Sequence, residues 1–193
     1  MPELMSASEK KELVKEIKDK CVQTGSFKLA SGGTSTFFFD MKKATLDPKA
    51  SKIITRIMLR VIAKENVRYI GGMESGAIPI VSELCLESDD KSPLYAFFVK
   101  KSNDGRNPPI EGNFKEGVKV LLVEDVTTKG GSILNAVKAV RARGCTVEKV
   151  VTIVDRLDNA RENLKKEGIE LIALTDQTDY ADKIDASLNK KRV

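Results

Sequence analysis

With 193 residues and 41% apolar side chains, the chain can bury roughly 70% of its extended surface in one α/β domain and needs no disulfide or metal staple to fold. Its formal charge of +5 reads as a solvated surface, because Lys and Glu are interspersed as in Glu9-Lys10-Lys11-Glu12, and the lack of Trp argues against a base-stacking nucleic-acid platform. Histidine is absent, which excludes Ser-His-Asp hydrolysis, HExxH metal sites and imidazole proton shuttles, so acid–base work falls to Asp, Glu, Lys, Tyr or Cys.

Cys21, Cys85 and Cys145 lie far apart and form no CxxC pair, so they read as buried, reduced thiols. No apolar run approaches the ~20 residues of a membrane span. Met1-Pro2-Glu3-Leu4 lacks the basic and apolar regions of a signal peptide, and a cytoplasmic location is expected.

Along the chain, Ser6-Ala7-Ser8-Glu9 is a capping box that opens a helix, and Leu13, Ile17 and Cys21 give that helix an apolar stripe, with Gly25 as its C-cap. Phe27 to Leu29 and Thr36 to Met41 read as strands around the turn Ser31-Gly32-Gly33. Asp47-Pro48 starts a second helix, Asp as N-cap and Pro at N1, running to about Lys64. The pattern then alternates. Strands are expected at Val67 to Gly71, Leu94 to Val99, Val118 to Val123, Val147 to Val154 and Ile169 to Leu174. Helices fall at Ala77 to Leu86, Gly131 to Arg143 and Asn159 to Lys166, and the tail from Asp176 is helical. Lys100 to Gly117 is a polar loop. Short Val/Ile/Leu-rich strands alternating with helices predict a Rossmann-like parallel sheet covered on both faces, within a single domain spanning residues 1–193. Ligands of such sheets sit at the carboxyl ends of the strands, near a topological switch point.

One segment carries the chemistry. Val120-Leu121-Leu122-Val123 is a buried strand; Glu124 and Asp125 end it, and the loop Val126-Thr127-Thr128-Lys129-Gly130-Gly131-Ser132 leads directly into a helix. The loop's N–H groups and the helix N-terminus form an anion cradle, Gly130 and Gly131 permit close approach, and the hydroxyls of Thr127, Thr128 and Ser132 add donors. Carboxylates at the entrance suit the hydroxyls of a sugar attached to that phosphate, directly or through Mg²⁺. Ribose 5-phosphate meets both halves of this description. Neither the GxxxxGK[ST] nor the GxGxxG order is present.

The segment from Val120 to Ser132 resembles the signature of type I phosphoribosyltransferases, which bind phosphoribosyl diphosphate (PRPP). Phe27-Lys28-Leu29-Ala30-Ser31-Gly32 with Ser35-Thr36-Phe37-Phe38-Phe39-Asp40 resembles the N-terminal segment of the orotate phosphoribosyltransferases, as do Ile110-Glu111-Gly112 and Val154-Asp155-Arg156. The resemblance implies the type I phosphoribosyltransferase fold. In it a small N-terminal hood segment (residues 1–45) covers the base, and residues 65–175 form the PRPP-binding core. It implies transfer of ribose 5-phosphate from PRPP to orotate, with Mg²⁺ neutralising the departing diphosphate and with a homodimer as the working unit. By the same resemblance Glu124 and Asp125 hold the ribose hydroxyls, and Thr127 to Ser132 hold the 5′-phosphate, Val126 and Lys129 included. Arg156 pairs with the orotate carboxylate, and Phe38 or Phe39 and Thr128 lie at the base. Gly71-Gly72-Met73-Glu74-Ser75-Gly76 resembles the diphosphate loop, although Glu74 and Ser75 stand where a basic residue is usual. The family's mobile loop opens with two basic residues, matched by Lys100 and Lys101. Asp104 falls at the place of the third basic residue and the loop His is missing, which leaves Arg106 to supply the charge. Lys101, Arg106 and Asp125 are thus the catalytic candidates. Ala30 occupies the place of the usual N-terminal Lys, and Lys28, two residues earlier, shares its strand face. Two other readings keep the fold: a phosphoribosyltransferase for another base, and a non-catalytic PRPP-sensing regulator.

Overall fold

The computed structural model describes residues 5–28, 34–101 and 109–189. Helix α1 (Ala7–Lys20) opens with the expected capping box: Glu9 N–H donates to Ser6 Oγ and Ser6 N–H to the Glu9 carboxylate. The chain does not turn at Gly25. It ends the helix at Cys21 and enters a hairpin, β1 (Val22–Lys28) antiparallel to β2 (Thr34–Phe39), in which Gly25 lies inside a strand. Gly25 follows the last apolar position of the helix by four residues, and the β-branched Val22 and Thr24 take the extended conformation first. The turn expected at residues 31–33 lies outside the described residues.

After one turn of helix, α2 (Lys42–Thr45), comes α3 (Ala50–Ile62). Asp47 acts as its cap: its carboxylate accepts from the Lys49 and Ala50 N–H groups, and its carbonyl accepts the Ser51 N–H. Six strands form the main sheet: β3 (Tyr69–Gly71), β4 (Tyr95–Val99), β5 (Ile110–Gly112), β6 (Lys119–Thr127), β7 (Thr146–Asp155) and β8 (Glu170–Asp176). Their order is β5-β4-β3-β6-β7-β8, with all pairs parallel except β4–β5. The helices α4 (Ala77–Leu86), α5 (Gly131–Arg141) and α6 (Ala160–Lys166) make the crossovers, and a 3-10 turn (Gln177–Tyr180) leads into α7 (Ala181–Asn189).

Strand β5 is a correction: Ile110-Glu111-Gly112 is not loop but an antiparallel edge strand, with Val99 opposite Ile110 and Phe97 opposite Gly112. Three residues are too short to show periodicity, and the register is supplied by β4. Strand β6 also outruns expectation by four residues. Glu124 and Asp125 interrupt its apolar pattern, but β7 continues beside it and pairs Glu124 with Thr152 and Val126 with Val154.

Alternation along β6 divides the interior. Leu121 and Val123 join the core shared with α1, α3, α4 and the hairpin; Val120 and Leu122 join the core under α5 and α6. Helix α3 presents Ile53, Ile54, Ile57, Met58 and Val61 to the first core, each contributing about 1.5–3 kcal/mol of burial. Tyr180 is fully buried, and its hydroxyl donates to Thr175 Oγ1, which donates on to the Ile153 carbonyl, so no polar group there is left unpaired. Cys21 and Cys145 are buried as expected, whereas Cys85 is only half-buried; all three are free thiols.

Ion pairs fasten α1 to α3. Glu16 meets Lys20 at 2.8 Å and Lys49 at 2.6 Å, Lys20 meets Asp47 at 2.7 Å, and Glu9 meets Arg60 at 2.7 Å. Hydrogen bonds from Arg60 and from the Ser6 N–H hold the Glu9 carboxyl at about 2, and those from Lys20 and the Ala50 N–H hold Asp47 at about 2. A carboxyl depressed by folding contributes stability above its unfolded pKa and loses it as pH falls toward the folded value. The urea midpoint is therefore expected to decline between about pH 4.5 and about pH 2, with a shallower decline in Asp47→Asn. An unchanged midpoint across that window would show that these pairs do not hold the two helices.

Candidate active site

The sheet changes winding direction between β3 and β6: the chain passes from β3 to β4 on one side and from β6 to β7 and β8 on the other. A crevice opens there, beyond the carboxyl ends of both strands. Gly72 follows β3 and lies so close to β6 that a Cβ would stand 2.2 Å from the Val123 carbonyl oxygen. Gly76 lies against the Asp125 carboxylate, which a Cβ would meet at 2.7 Å. The two glycines are thus a spatial requirement of Glu124-Asp125, and they bring the Gly72–Gly76 loop and the acidic pair into one site.

Glu124 is buried, with one oxygen accepting from the Asp125 N–H at 3.3 Å and the other without a partner among the described residues. Burial, and after it the negative charge of Asp125, holds the Glu124 carboxyl well above the usual range. Asp125 is half-buried, and its Oδ1 accepts from the Val126 N–H at 2.7 Å. The pair therefore sets two carboxyl groups side by side, within reach of vicinal hydroxyls.

The cradle begins where β6 ends. Gly130 has φ of 80°, a left-handed conformation that turns the chain into α5, and Leu134 N–H reaches back to its carbonyl. The amides of Gly131, Ser132 and Ile133 precede the first intrahelical bond and face outward from the helix end. A Cβ at Gly131 would meet nothing within 4 Å, so the missing side chain leaves space for a ligand, not for packing. A concavity of about 30 Å³ lies inside the loop, against Glu124, Thr127, Gly130 and Ser132. Thr127 Oγ1 is buried there and has no partner among the described residues. Asn163 of α6 donates to the Lys129 carbonyl at 2.9 Å and fixes the loop from behind.

Next to this cradle lies a cavity of about 440 Å³. Asp125, Val126, Thr128, Lys129, Gly131 and Ser132 form one wall; Arg156 and the hairpin residues Phe38 and Phe39 form the other. The hairpin therefore contributes to the cavity's lining. The two phenylalanines divide the roles left open between them. Phe39 is buried and packs edge-on to Tyr180 at 5.2 Å, a core residue, while Phe38 is 41% exposed and lies tilted against Phe27 at 5.7 Å. Asp40, Met41 and Lys42 also line the cavity. Sequence reasoning missed them because they belong to the turn between hairpin and α3, where no periodic pattern marks an inward side chain.

Arg156 follows β7, its N–H donating to the Thr127 carbonyl at 2.9 Å. Its guanidinium pairs with neither Asp155 nor Asp158 in a salt bridge. Asp155 is fully buried, accepts from the Leu157 N–H at 2.9 Å and lies 2.8 Å from Arg161 Nε. Arg156 instead reaches the hairpin and lines the cavity.

Other expected site residues lie elsewhere. Lys28 does not face the cavity: it is exposed at the end of β1, on the solvent side of the strand's alternation. Lys100 pairs with Glu111 of β5 at 3.3 Å and does not line the cavity. Glu74 is half-buried and accepts from the Lys101 N–H at 2.7 Å; Ser75, joined to it by a cis peptide, is exposed. The Lys101 charge acts on Glu124. Arg106 lies outside the described residues.

Residues 43–182 match the phosphoribosyl transferase domain family. The chain is 44% identical to an orotate phosphoribosyltransferase of Methanocaldococcus jannaschii, over 84% of this chain and 89% of that one. It is 40% identical to an orotate phosphoribosyltransferase of Pyrococcus furiosus, over 86% and 91%. Among solved structures, it superposes with a TM-score of 0.74 and 30% identity on the Mycobacterium tuberculosis H37Rv orotate phosphoribosyltransferase in complex with PRPP, covering 91% of this chain and 93% of that chain. The acidic pair, the glycine-pinned crevice and the cavity beside them are therefore those of a member of the orotate phosphoribosyltransferases, and this chain belongs to that family.

Proposed function

We propose that the chain transfers ribose 5-phosphate from PRPP to N1 of orotate, releasing diphosphate and orotidine 5′-monophosphate. The observation that carries this reading is the joining of an anion cradle, a carboxyl pair and an arginine around one cavity. The 5′-phosphate seats on the amides of Gly131 to Ile133 and on the hydroxyls of Thr127, Thr128 and Ser132. Glu124 and Asp125 take the ribose hydroxyls, at the side of the sugar where positive charge develops at the anomeric carbon. The base lies between Phe38 and Thr128, with its carboxylate on the Arg156 fork. Holding the two reactants in one crevice removes the entropic cost of their encounter at the moment of reaction.

Magnesium fits this donor set as a companion of PRPP. Among the described residues no three carboxyl or thiol groups converge. An ion carried in with PRPP would have Glu124 and Asp125 at hand and would neutralise charge on the leaving group. Lys101, whose N–H binds Glu74 and whose charge acts on Glu124, would meet the same diphosphate. The reading includes a homodimer, and sedimentation at micromolar concentration checks it. No helix among the described residues is long and apolar enough to cross a membrane.

Three outcomes are expected. Orotate absorbance should fall when the chain is mixed with orotate, PRPP and Mg²⁺; PRPP uptake in calorimetry with no turnover of any base would favour a sensing role instead. Arg156→Ala should lower kcat/KM for orotate on the order of 100-fold, ~2.8 kcal/mol, by stranding the carboxylate. The Glu124 carboxyl has its pKa raised by folding, so its contribution to stability is present below its unfolded value and is lost as pH rises toward the folded one. Glu124→Gln should consequently raise the melting temperature of the unliganded protein at pH 7 by roughly 2–4 °C while weakening PRPP binding. A lowered melting temperature would contradict the assignment of Glu124 as a carboxyl strained for function.

A further inference from the structure

The Arg156 guanidinium is fixed before any ligand arrives, and the hairpin fixes it. Arg156 Nη2 donates to Ser35 Oγ at 3.0 Å. A serine hydroxyl has one proton, and that of Ser35 is directed to the Phe37 carbonyl at 2.7 Å, which leaves a lone pair for the arginine. The Phe37 N–H, at 3.3 Å, also points to Ser35 Oγ and helps hold it. The Phe37 ring lies beneath the guanidinium, 4.3 Å from centroid to Cζ. That ring cannot drift: it stands edge-on to Phe39 at 5.8 Å, and Phe39 stands edge-on to the fully buried Tyr180 at 5.2 Å.

The other acids near Arg156 are accounted for. Asp155 is engaged by the Leu157 N–H and Arg161, and Asp158 acts on the guanidinium through its charge without a salt bridge to it. Burial weighs against the arginine's charge, so the site keeps a cation that water solvates poorly. With one face on Phe37 and one N–H on Ser35, the remaining donors of the planar fork stay available on the cavity side.

We propose that Ser35 and Phe37 are positioning residues that set specificity for a carboxylated base: they hold Arg156 in its binding rotamer, so that the ordering of a long flexible side chain is complete before the base arrives. Neither was among the expected site residues, and neither lines the cavity. This rests on the reading that Arg156 receives the base carboxylate.

The test is steady-state kinetics on the full chain with orotate and PRPP. Ser35→Ala should raise KM for orotate on the order of 5- to 10-fold, the effect of one hydrogen bond to a charged group, and leave KM for PRPP unchanged. Ser35→Thr should restore the value. Phe37→Leu, which keeps apolar volume but removes the ring face, should raise KM for orotate likewise, and Phe37→Tyr should not. In an Arg156→Ala background Ser35→Ala should add nothing, because the positioned group is gone. Equal costs of Ser35→Ala in both backgrounds would overturn the proposal by showing a role independent of Arg156. So would an unchanged orotate KM in Ser35→Ala and Phe37→Leu alongside a raised one in Arg156→Ala. If Arg156→Ala itself leaves orotate KM untouched, the base-recognition reading fails first and takes this inference with it.

Discussion

Two adjacent carboxyl groups at the point where the sheet changes winding direction impose conditions on everything around them. Glu124 is buried beside Asp125, and burial of an acid next to a second acid costs free energy unless a proton or a partner is supplied. The fold supplies no hydrogen-bond partner for one Glu124 oxygen among the described residues. The cost is accepted where a ligand's hydroxyls can offset it, and the rest of the core is arranged to tolerate it. Val120 to Val123 are fully buried on both faces of the sheet just before the pair, and β7 pairs alongside to Asp155, so the acids cannot swing out to solvent.

The same constraint explains the glycines. At Gly72 a side chain would strike the β6 backbone, and at Gly76 it would strike the Asp125 carboxylate. Gly130 needs its left-handed φ to start α5 directly below the acids. Between them these three positions bring two loops onto one crevice from different crossovers of the sheet. Geometry of this kind suits a substrate with a phosphate at one end, a diphosphate at the other and hydroxyls between. Glu74 is the departure: a carboxylate beside the second loop binds the Lys101 backbone and holds the root of the segment that follows.

The hairpin does more than line the cavity. Its alternation sends Phe37 and Phe39 toward the core and Phe38 toward solvent and the cavity, so a run of three phenylalanines serves three purposes. Phe39 ties the hairpin to Tyr180, Phe37 carries Arg156, and Phe38 lines the cavity. The lining of the cavity and the cohesion of the N-terminal segment thus depend on one strand.

The sequence alone determined what depends on local periodicity and on turn chemistry: the capping box at Ser6, the amphipathic α3, the alternating strands and helices, and the acid–threonine–glycine segment from Glu124 to Ser132 with the ligand class it fits. Those signals act over a few residues, within reach of one turn or one strand. Tertiary structure decided what depends on neighbours far along the chain. It extended β6 through the acids because β7 pairs with it, and made Ile110 to Gly112 a strand because β4 offers an edge. It left Lys28 exposed at the end of β1, paired Lys100 with Glu111, and buried Phe39 in the core while leaving Phe38 exposed, although both line the cavity. It also joined Ser35 to Arg156 across 121 residues, a contact no local pattern encodes, because only the packing of the hairpin on the sheet brings the two within hydrogen-bond distance.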